Sequence, residues 1–547
     1  MPKNNKADLS RRDFIATTAA GATAAALVPG TAQAQEADRQ WDLTADFVSI
    51  GAGVSGLAAA VSALEHGASV ILVDENTDIG GHGMVSGGIV NLGGGHRVQR
   101  AHGIEDSADQ VYEDWTRPDH PSARYNDRDL VRVFADMNAS TFNWLMDLGV
   151  DFHENEILPP EIASTVPRQV RTRQWPNKDE IYTSVVTRRG SGLVRQLEKV
   201  VREGGAEILL QHRMTSIIRE TPTSGRVLGI TVEHEGTVLN IRALNGVLIA
   251  TGGHSNNIEF RRMFDPRLTE EYRVTGDPYS RKSADGEIAA MSLGASLWGT
   301  AQQTNEAARY NLMKAASIGG EFVSQALLWP ADSPIFDKIG ATGLQEPDWS
   351  NVILVTQDGE RFYDETANDY DFLAAAMESR GQPDKRNGGG PIWAIFDHDA
   401  VERQGWDPTP PRVDPDGWFF SANTIKDLAE RIENLHQPYP MPAERLEATV
   451  ARYNASAEAG VDRDFGKPLP LPAIQTPPFY AGWATPTVHD SYAGLRTDAS
   501  TRVIDLKGEV IEGLYCAGES QGGFNLHGLG RCVVFGRIAG RHAAESV

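Results

Sequence analysis

The segment Asp46-Phe47-Val48-Ser49-Ile50-Gly51-Ala52-Gly53-Val54-Ser55-Gly56 leaves this chain few options. An apolar run ends in a Gly-x-Gly-x-x-Gly turn, a helix-forming stretch follows, and a second apolar run, Val70-Ile71-Leu72-Val73, closes on Asp74. Strand, glycine turn, helix, strand and acid in that order describe a βαβ unit that holds a dinucleotide. Gly51 permits the tight turn, Gly53 lets backbone approach a pyrophosphate, and Gly56 lets the helix lie close on the strand. Val54 and Ser55 open the helix, whose unpaired N–H groups and positive dipole end suit phosphate. Asp74, with Glu75 beside it, is positioned to accept hydrogen bonds from the adenosine ribose.

At 547 residues the chain is too long for one ordinary domain, so two lobes are expected. An apolar share of 40% with 23% charged residues describes a soluble globular protein. No strongly apolar run long enough to span a bilayer follows residue 40, so no membrane span is expected in the mature chain. Residues 1–34 read as an export address. Ser10-Arg11-Arg12-Asp13-Phe14-Ile15 carries paired arginines, Ala16 to Val28 is mildly apolar, and Ala32-Gln33-Ala34 fits a small-x-small cleavage site. An uncleaved anchor helix is the other reading; weak hydrophobicity and Gly21 count against it. Twin-arginine export carries folded proteins, which suits a chain that must take up a cofactor before reaching the periplasm. The segment has four basic and two acidic side chains, so its removal moves the net charge from −23 to −25. Such acidity repels nucleic acid and anionic lipid. Cys516 and Cys532 are the only cysteines, too few for a disulfide framework or a metal cluster. Without a Cys-x-x-Cys-His motif there is no attached c-type haem, and the electron partner must be a separate protein or small molecule.

Downstream, Gly80-Gly81-His82-Gly83-Met84-Val85-Ser86-Gly87-Gly88 and Gly93-Gly94-Gly95 imply backbone lying against a large flat ligand. Helical spacing covers 128–148 and 190–203, and strands are expected near 206–211, 226–234 and 237–242. A separate buried strand, Gly246-Val247-Leu248-Ile249-Ala250-Thr251, ends in Gly252-Gly253, the kind of strand end where ligands sit in open α/β sheets. From about 275 to 484 the chain is richer in Trp and Pro, includes the polar loop Arg386-Asn387-Gly388-Gly389-Gly390, and has no second dinucleotide fingerprint. The last 60 or so residues return to α/β character, with Arg502-Val503-Ile504-Asp505, Gly513-Leu514-Tyr515-Cys516-Ala517-Gly518-Glu519 and a helix from about Gly530.

Together the blocks Gly51 to Asp74, Gly80 to Gly88, Ala250 to Gly253, Gly494 to Asp505 and Gly513 to Gly540 resemble the FAD-binding flavoproteins of the succinate dehydrogenase/fumarate reductase superfamily, which includes the 3-ketosteroid dehydrogenases. The resemblance implies an α/β fold: a Rossmann-like FAD-binding domain (41–274 and 485–547) interrupted by an α+β capping domain (275–484), after the 1–34 signal peptide. It implies a flavin site made from Gly51, Gly53, Val54, Ser55, Gly56, Asp74, Glu75, Gly81, His82, Ser86, Gly87, Gly88, Ala250, Thr251, Gly252, Gly253, Gly518, Glu519, Gly530, Arg531, Cys532 and Val533. The terminal block separates FAD from a nicotinamide, because in this family the tail returns to cover the flavin. A helix starting near Gly530 would aim N–H groups at the reduced ring, with Arg531 adding positive charge. Arg531 as a surface arginine is the alternative, in a position unfavourable for the dipole. The spacing around His82 is one residue shorter than in the branch that bonds flavin covalently, which implies non-covalent FAD.

Family members exchange hydride between flavin and a carbon–carbon bond beside an electron-withdrawing group, while a side chain moves a proton at the neighbouring carbon. Fumarate reductases carry an arginine after an Arg-Phe-x-Asn-Glu block; here Arg361-Phe362-Tyr363-Asp364-Glu365 is followed by none at that spacing. The family's His-His-Thr-x-Gly-Gly becomes His489-Asp490-Ser491-Tyr492-Ala493-Gly494, and its substrate clamp shortens to Leu526-His527-Gly528-Leu529-Gly530-Arg531. Dicarboxylates need bidentate guanidinium partners, so fumarate fits poorly. Ketosteroid dehydrogenases place a tyrosine one residue short of Tyr370, and His527 falls where they carry a carbonyl-binding tyrosine. Tyr370 as a donor to a carbonyl needs no pKa shift; His527 either polarises a ketone or packs under the flavin. His489 and Asp490 form a candidate proton-transfer pair, although neighbours in sequence usually point apart. Tyr492 completes the polar set, and Arg188, Arg189 and Arg281 serve either as anion anchors or as surface ion-pair partners. The expectation is an exported FAD-dependent enzyme oxidising or reducing a C–C bond beside the carbonyl of a small, cyclic or aromatic-derived molecule. A quinone, cytochrome or other redox protein would exchange its electrons. The alternatives are a fumarate-reductase-like reductase fed by a separate cytochrome, and a flavin electron-transfer subunit with no substrate of its own.

Overall fold

β1 (Leu43–Ile50) ends in four residues buried on both faces, as a central parallel strand requires. It leads through a glycine turn into α1 (Val54–Glu65) and back to β2 (Val70–Val73), which pairs with β1 in parallel register from Phe47↔Val70 to Ile50↔Val73. The computed structural model describes residues 39–546 except 121, 161–162, 176–188, 278–279, 300–311, 316, 322–342, 347–348, 368, 379–389 and 527. The twin-arginine segment, Arg188, His527 and most of the 386–390 loop therefore lie outside the described residues. Residues from Trp41 onward pack as one unit.

After β2 come α2 (Gly81–Val85), α3 (Arg128–Asp147), α4 (Gly190–Glu203) and four strands: β3 (Glu207–Leu209), β4 (Arg213–Thr221), β5 (Ser224–His234) and β6 (Thr237–Ile249). The two segments expected at 237–242 and 246–250 form this one strand. Gly246 marks no turn: a Cβ there would strike the Tyr515 ring, so glycine is what lets the strand continue past an aromatic side chain. The first part of β6 pairs antiparallel with β5, and its end pairs parallel with β1.

An inserted lobe carries β7 (Ile353–Thr356), α5 (Asp369–Glu378), β8 (Ile392–Asp397), β9 (Phe419–Ala422), α6 (Ala443–Ala459) and β10 (Phe479–Trp483). Its antiparallel sheet runs β7-β8-β10-β9. Trp393, Trp418 and Trp483 meet edge to face in its own apolar core, which draws on residues from Leu268 to Val488, while Ala290, Leu293 and Ala295, inside the expected 275–484 lobe, pack instead in the core of the main sheet. The chain then returns with β11 (Arg502–Ile504), β12 (Val510–Cys516) and α7 (Leu529–Glu545), and the main sheet reads β11-β12-β6-β1-β2-β3. α7 lies directly on α1, where Gly536 and Gly540 face the backbone oxygens of Ser55 and Ala59 with no room for a side chain. The tail is thereby fixed over the first βαβ unit. Among the described residues, no helix is long and apolar enough to cross a membrane.

Candidate active site

A cavity of about 450 Å³ opens at the carboxyl ends of the parallel strands, where ligands sit in open α/β sheets. Its wall runs from Asp74, Glu75 and His212 beyond β2 and β3 to Glu519 beyond β12. Four interstrand steps of roughly 4.8 Å make a span on the order of 19 Å, long enough for an extended dinucleotide.

At one end Gly51 adopts φ +106° and gives its N–H to the Val73 carbonyl at 2.7 Å. A Cβ there would strike the carbonyl of Ala250, so only glycine lets β1 and β6 finish side by side. The Asp74 carboxylate accepts from the N–H groups of Ala52 at 2.8 Å and Asn76 at 2.9 Å. Burial pushes Asp74 up to about 6, against the pull of those two donors. A carboxylate has about four acceptor sites, so capacity for a ribose remains. Gly81, Gly87 and Gly252, with Gly528 at the far end, line the cavity, and a Cβ on any of them meets nothing within 4 Å. The missing side chains are thus the space itself.

The other end is made by the start of α7. Gly528, at φ +95°, precedes the helix with no side-chain cap, leaving first-turn N–H groups for a ligand. Arg531 is 2% exposed; it donates to the carbonyls of Gln521 and Leu526, while its Nε has no partner among the described residues. A buried, incompletely paired guanidinium beside a helix N-terminus suits a group that gathers negative charge. Cys532 also lines the wall, where burial pushes its thiol up to about 12 and keeps it inert.

Next to Arg531 lies a buried charged cluster. His489 Nδ1 and Asp490 Oδ2 are 2.8 Å apart, so the two neighbours do meet. Side-chain alternation holds only within a strand, and the strand Thr487–Val488 has already ended. Lys282, fully buried, donates to the His489 carbonyl at 2.8 Å and to Asp490 Oδ1 at 3.3 Å, and pairs with Glu519 Oε2 at 3.1 Å. Glu519 Oε1 accepts from the Ser491 N–H at 2.8 Å. Burial raises Glu519 to about 7, with Lys282 opposing. Burial also works against the Lys282 charge, but Glu519 and Asp490 outweigh it and raise the ammonium. His82 stands edge-on to His489, ring centres 6.0 Å apart.

Of the residues expected at the site, Gly51, Gly53, Val54, Ser55, Asp74, Glu75, Gly81, His82, Ser86, Gly87, Ala250, Thr251, Gly252, His489, Asp490, Glu519, Arg531 and Cys532 line one cavity. Others pack behind it. A Cβ on Gly56 would strike Gly51, on Gly88 Thr172, on Gly253 Ser491, on Gly518 Ser55 and on Gly530 Asn91. Val533 and Tyr492 are buried and absent from the wall. Tyr370 falls on α5, but its side chain is outside the described residues, as is all of His527. Arg189 precedes α4 away from the wall, and Arg281 is exposed on it. Sequence reasoning missed His212, Arg213 and Met214 at the acidic end and Lys282 behind the ring end. No motif marks Lys282, and a lysine is read as surface by default.

A family model for the FAD binding domain matches residues 46–530, and the chain belongs to that family. Its cofactor is FAD, which the glycine-lined wall, the paired Asp74 and the arginine-flanked helix start fit. The NADH:acrylate oxidoreductase of Vibrio harveyi is 27% identical over 92% of this chain, which spans about half (51%) of that protein's length. Among solved structures, an open flavocytochrome c3 fumarate reductase matches with a TM-score of 0.66 at 24% identity, covering 100% of this chain and 83% of that one. A 3-ketosteroid delta1-dehydrogenase from Sterolibacterium denitrificans gives 0.65 at 21% identity, covering 92% and 100%. At these identities the two structures speak for the fold.

Proposed function

We propose that this protein is an exported oxidoreductase that holds FAD non-covalently and acts on a C–C bond beside the carbonyl of a small cyclic or aromatic-derived substrate. The observation that carries the reading is the His489–Asp490 hydrogen bond at the ring end of the cavity, next to the start of α7. FAD supplies hydride exchange when bound. His489, oriented by Asp490, moves the proton at the adjacent carbon. The N–H groups of α7 and the Arg531 charge offset negative charge gathering at that end. Ser280, Arg281, Ser283 and Asp285 line one side of the cavity. The carboxylates of Asp490 and Glu519 on this wall favour an uncharged carbonyl compound over a dicarboxylate. Non-covalent attachment is checked by release of yellow flavin on heat or acid denaturation.

The test is anaerobic reduction of the bound flavin across ketones, steroids, aromatic acids and dicarboxylates. An enone or ketone should change the flavin spectrum, and His489→Gln should lower turnover about 100-fold or more with FAD retained. Full turnover in that variant removes His489 from the chemistry. Tyr370→Phe and His527→Gln ask the same of the two candidates whose side chains are not described. The likeness to an acrylate oxidoreductase supports a second reading, reduction of an unsaturated acid by electrons from a separate cytochrome or other redox protein. Rapid turnover of fumarate or acrylate with reduced viologen would put that reading first. The Ser10 to Ile15 motif supports periplasmic residence; a doubly substituted Arg11→Lys, Arg12→Lys chain should stay in the cytoplasm on fractionation.

A further inference from the structure

We propose that Lys282 is the positioning residue of the His489–Asp490 pair, a role that rests on reading this pair as the proton carrier. An ammonium has three N–H donors, and Lys282 faces three acceptors: the His489 carbonyl, Asp490 Oδ1 and Glu519 Oε2. Its donors are therefore all committed. Two of the contacts converge on one imidazole. Lys282 holds the backbone of His489 through its carbonyl, and it holds Asp490 through the oxygen that His489 does not use. The third contact ties both to Glu519, across the cavity wall beyond β12.

A buried ammonium needs three acceptors, and the carbonyl that completes the set here is the histidine's own. With Asp490 kept as acceptor, the imidazole carries its hydrogen on Nδ1, and Nε2 becomes the nitrogen that exchanges a proton with substrate. Lys282 thus sets the tautomer of the ring through its carbonyl and its carboxylate partner.

The experiment uses holoenzyme with ¹⁵N-labelled histidine, the His489 signal being assigned by its loss in His489→Gln. Wild type should show the Nδ1–H tautomer at His489. Lys282→Met should show a mixture of tautomers, with turnover about 30-fold lower and KM within about threefold, and Lys282→Arg should restore the wild-type signal. Because one of the two links from Lys282 to the imidazole runs through Asp490, the losses from Lys282→Met and Asp490→Asn should overlap, the double variant losing less than the product of the two. An unchanged tautomer in Lys282→Met, or losses that multiply in the double variant, would overturn the proposal. If Lys282→Met fails to retain FAD, Asp490→Asn decides: it must lose the Nδ1–H preference with flavin bound, and a wild-type signal there refutes the positioning. The tautomer is read without substrate, so a failed turnover panel counts against the proposed reaction and leaves this result standing.

Discussion

Among the described residues two lysines are buried, one behind the cavity and one in the core of the inserted lobe, and they keep different company. Lys467, in the inserted lobe, donates to the carbonyls of Trp349 and Val352 and meets one carboxylate, Glu365, at 3.3 Å. Arg361 grips the same Glu365 with two hydrogen bonds and reaches Asp462 at 3.0 Å. Two cations face two acids there, a closed set. Behind the cavity, Lys282 alone serves both Asp490 and Glu519. That set has one acid in excess, and a histidine shares its hydrogen bond. Burial lowers the Lys467 ammonium, with Glu365 opposing and Arg361 reinforcing, whereas Lys282 is raised by its two carboxylates in spite of burial. A closed set stabilises a fold; an open one leaves a protonation site to be used.

The widest separation between the two clusters should come from Glu365→Ala. It strips Arg361 of its bidentate partner, leaves Lys467 without a carboxylate, and removes the acceptor of the Leu354 N–H. Removing one partner from a buried ionic pair costs about 3–5 kcal/mol, so guanidinium unfolding should shift by that amount. The flavin spectrum of the remaining folded protein should be unchanged, because these residues lie in the core of the inserted lobe. A shift below about 1 kcal/mol would mean that the closed set is not what holds this lobe together.

A somewhat smaller effect tests the open set through pH. Glu519 titrates at about 7 in the fold and at 4.5 in its ordinary state. The folded chain therefore binds this proton more tightly than the unfolded chain. Its contribution is fully present below about pH 4.5 and is lost as pH rises through about 7, by on the order of 3 kcal/mol. Urea unfolding of apoprotein across that window should show the decline, superposed on an earlier one from Asp74, which burial raises from 3.8 to about 6. Glu519→Gln should flatten the later part of the curve. An unchanged slope in that variant would show that Glu519 is already ionised well below neutrality.

The same contrast explains what could be read from the chain alone. Binding a pyrophosphate with backbone demands glycine at fixed spacing, so Gly51, Gly53 and Gly56 announced the first βαβ unit. The returning tail was legible for a related reason: Gly536 and Gly540 are the crossing point of α7 on α1, and no other residue fits. Charged clusters leave no such trace. Lys282 lies more than 200 positions before Asp490 and Glu519, and nothing local distinguishes it from a surface lysine. Neighbours in sequence usually point apart, but that holds within a strand, and the strand Thr487–Val488 stops before His489, so His489 and Asp490 meet. In the inserted lobe, tryptophans packed edge to face specify a core without specifying its chemistry.

The smallest expected effect lies in the backbone beside each lysine. Gly466 precedes Lys467 with φ +76°, a left-handed conformation that glycine adopts freely. Two residues after Lys282, Ala284 takes φ +65°, fully buried, with its N–H on the Gly253 carbonyl at 3.1 Å as the helix Asp285–Ser292 begins. For an L-residue that conformation costs roughly 1–2 kcal/mol. Ala284→Gly relieves it and loses about 0.4–1 kcal/mol to the freer unfolded chain, so stability should rise by about 0.5–1 kcal/mol at unchanged denaturant slope. Gly466→Ala should fall by about 1 kcal/mol. Such a conformation persists only where the surrounding structure over-determines it, and the inserted core has its own instance in Trp349, at φ +58°, whose carbonyl accepts from Lys467. If Ala284→Gly is neutral or destabilising, the conformation at Ala284 is not strained, and Lys282 is held by its hydrogen bonds alone.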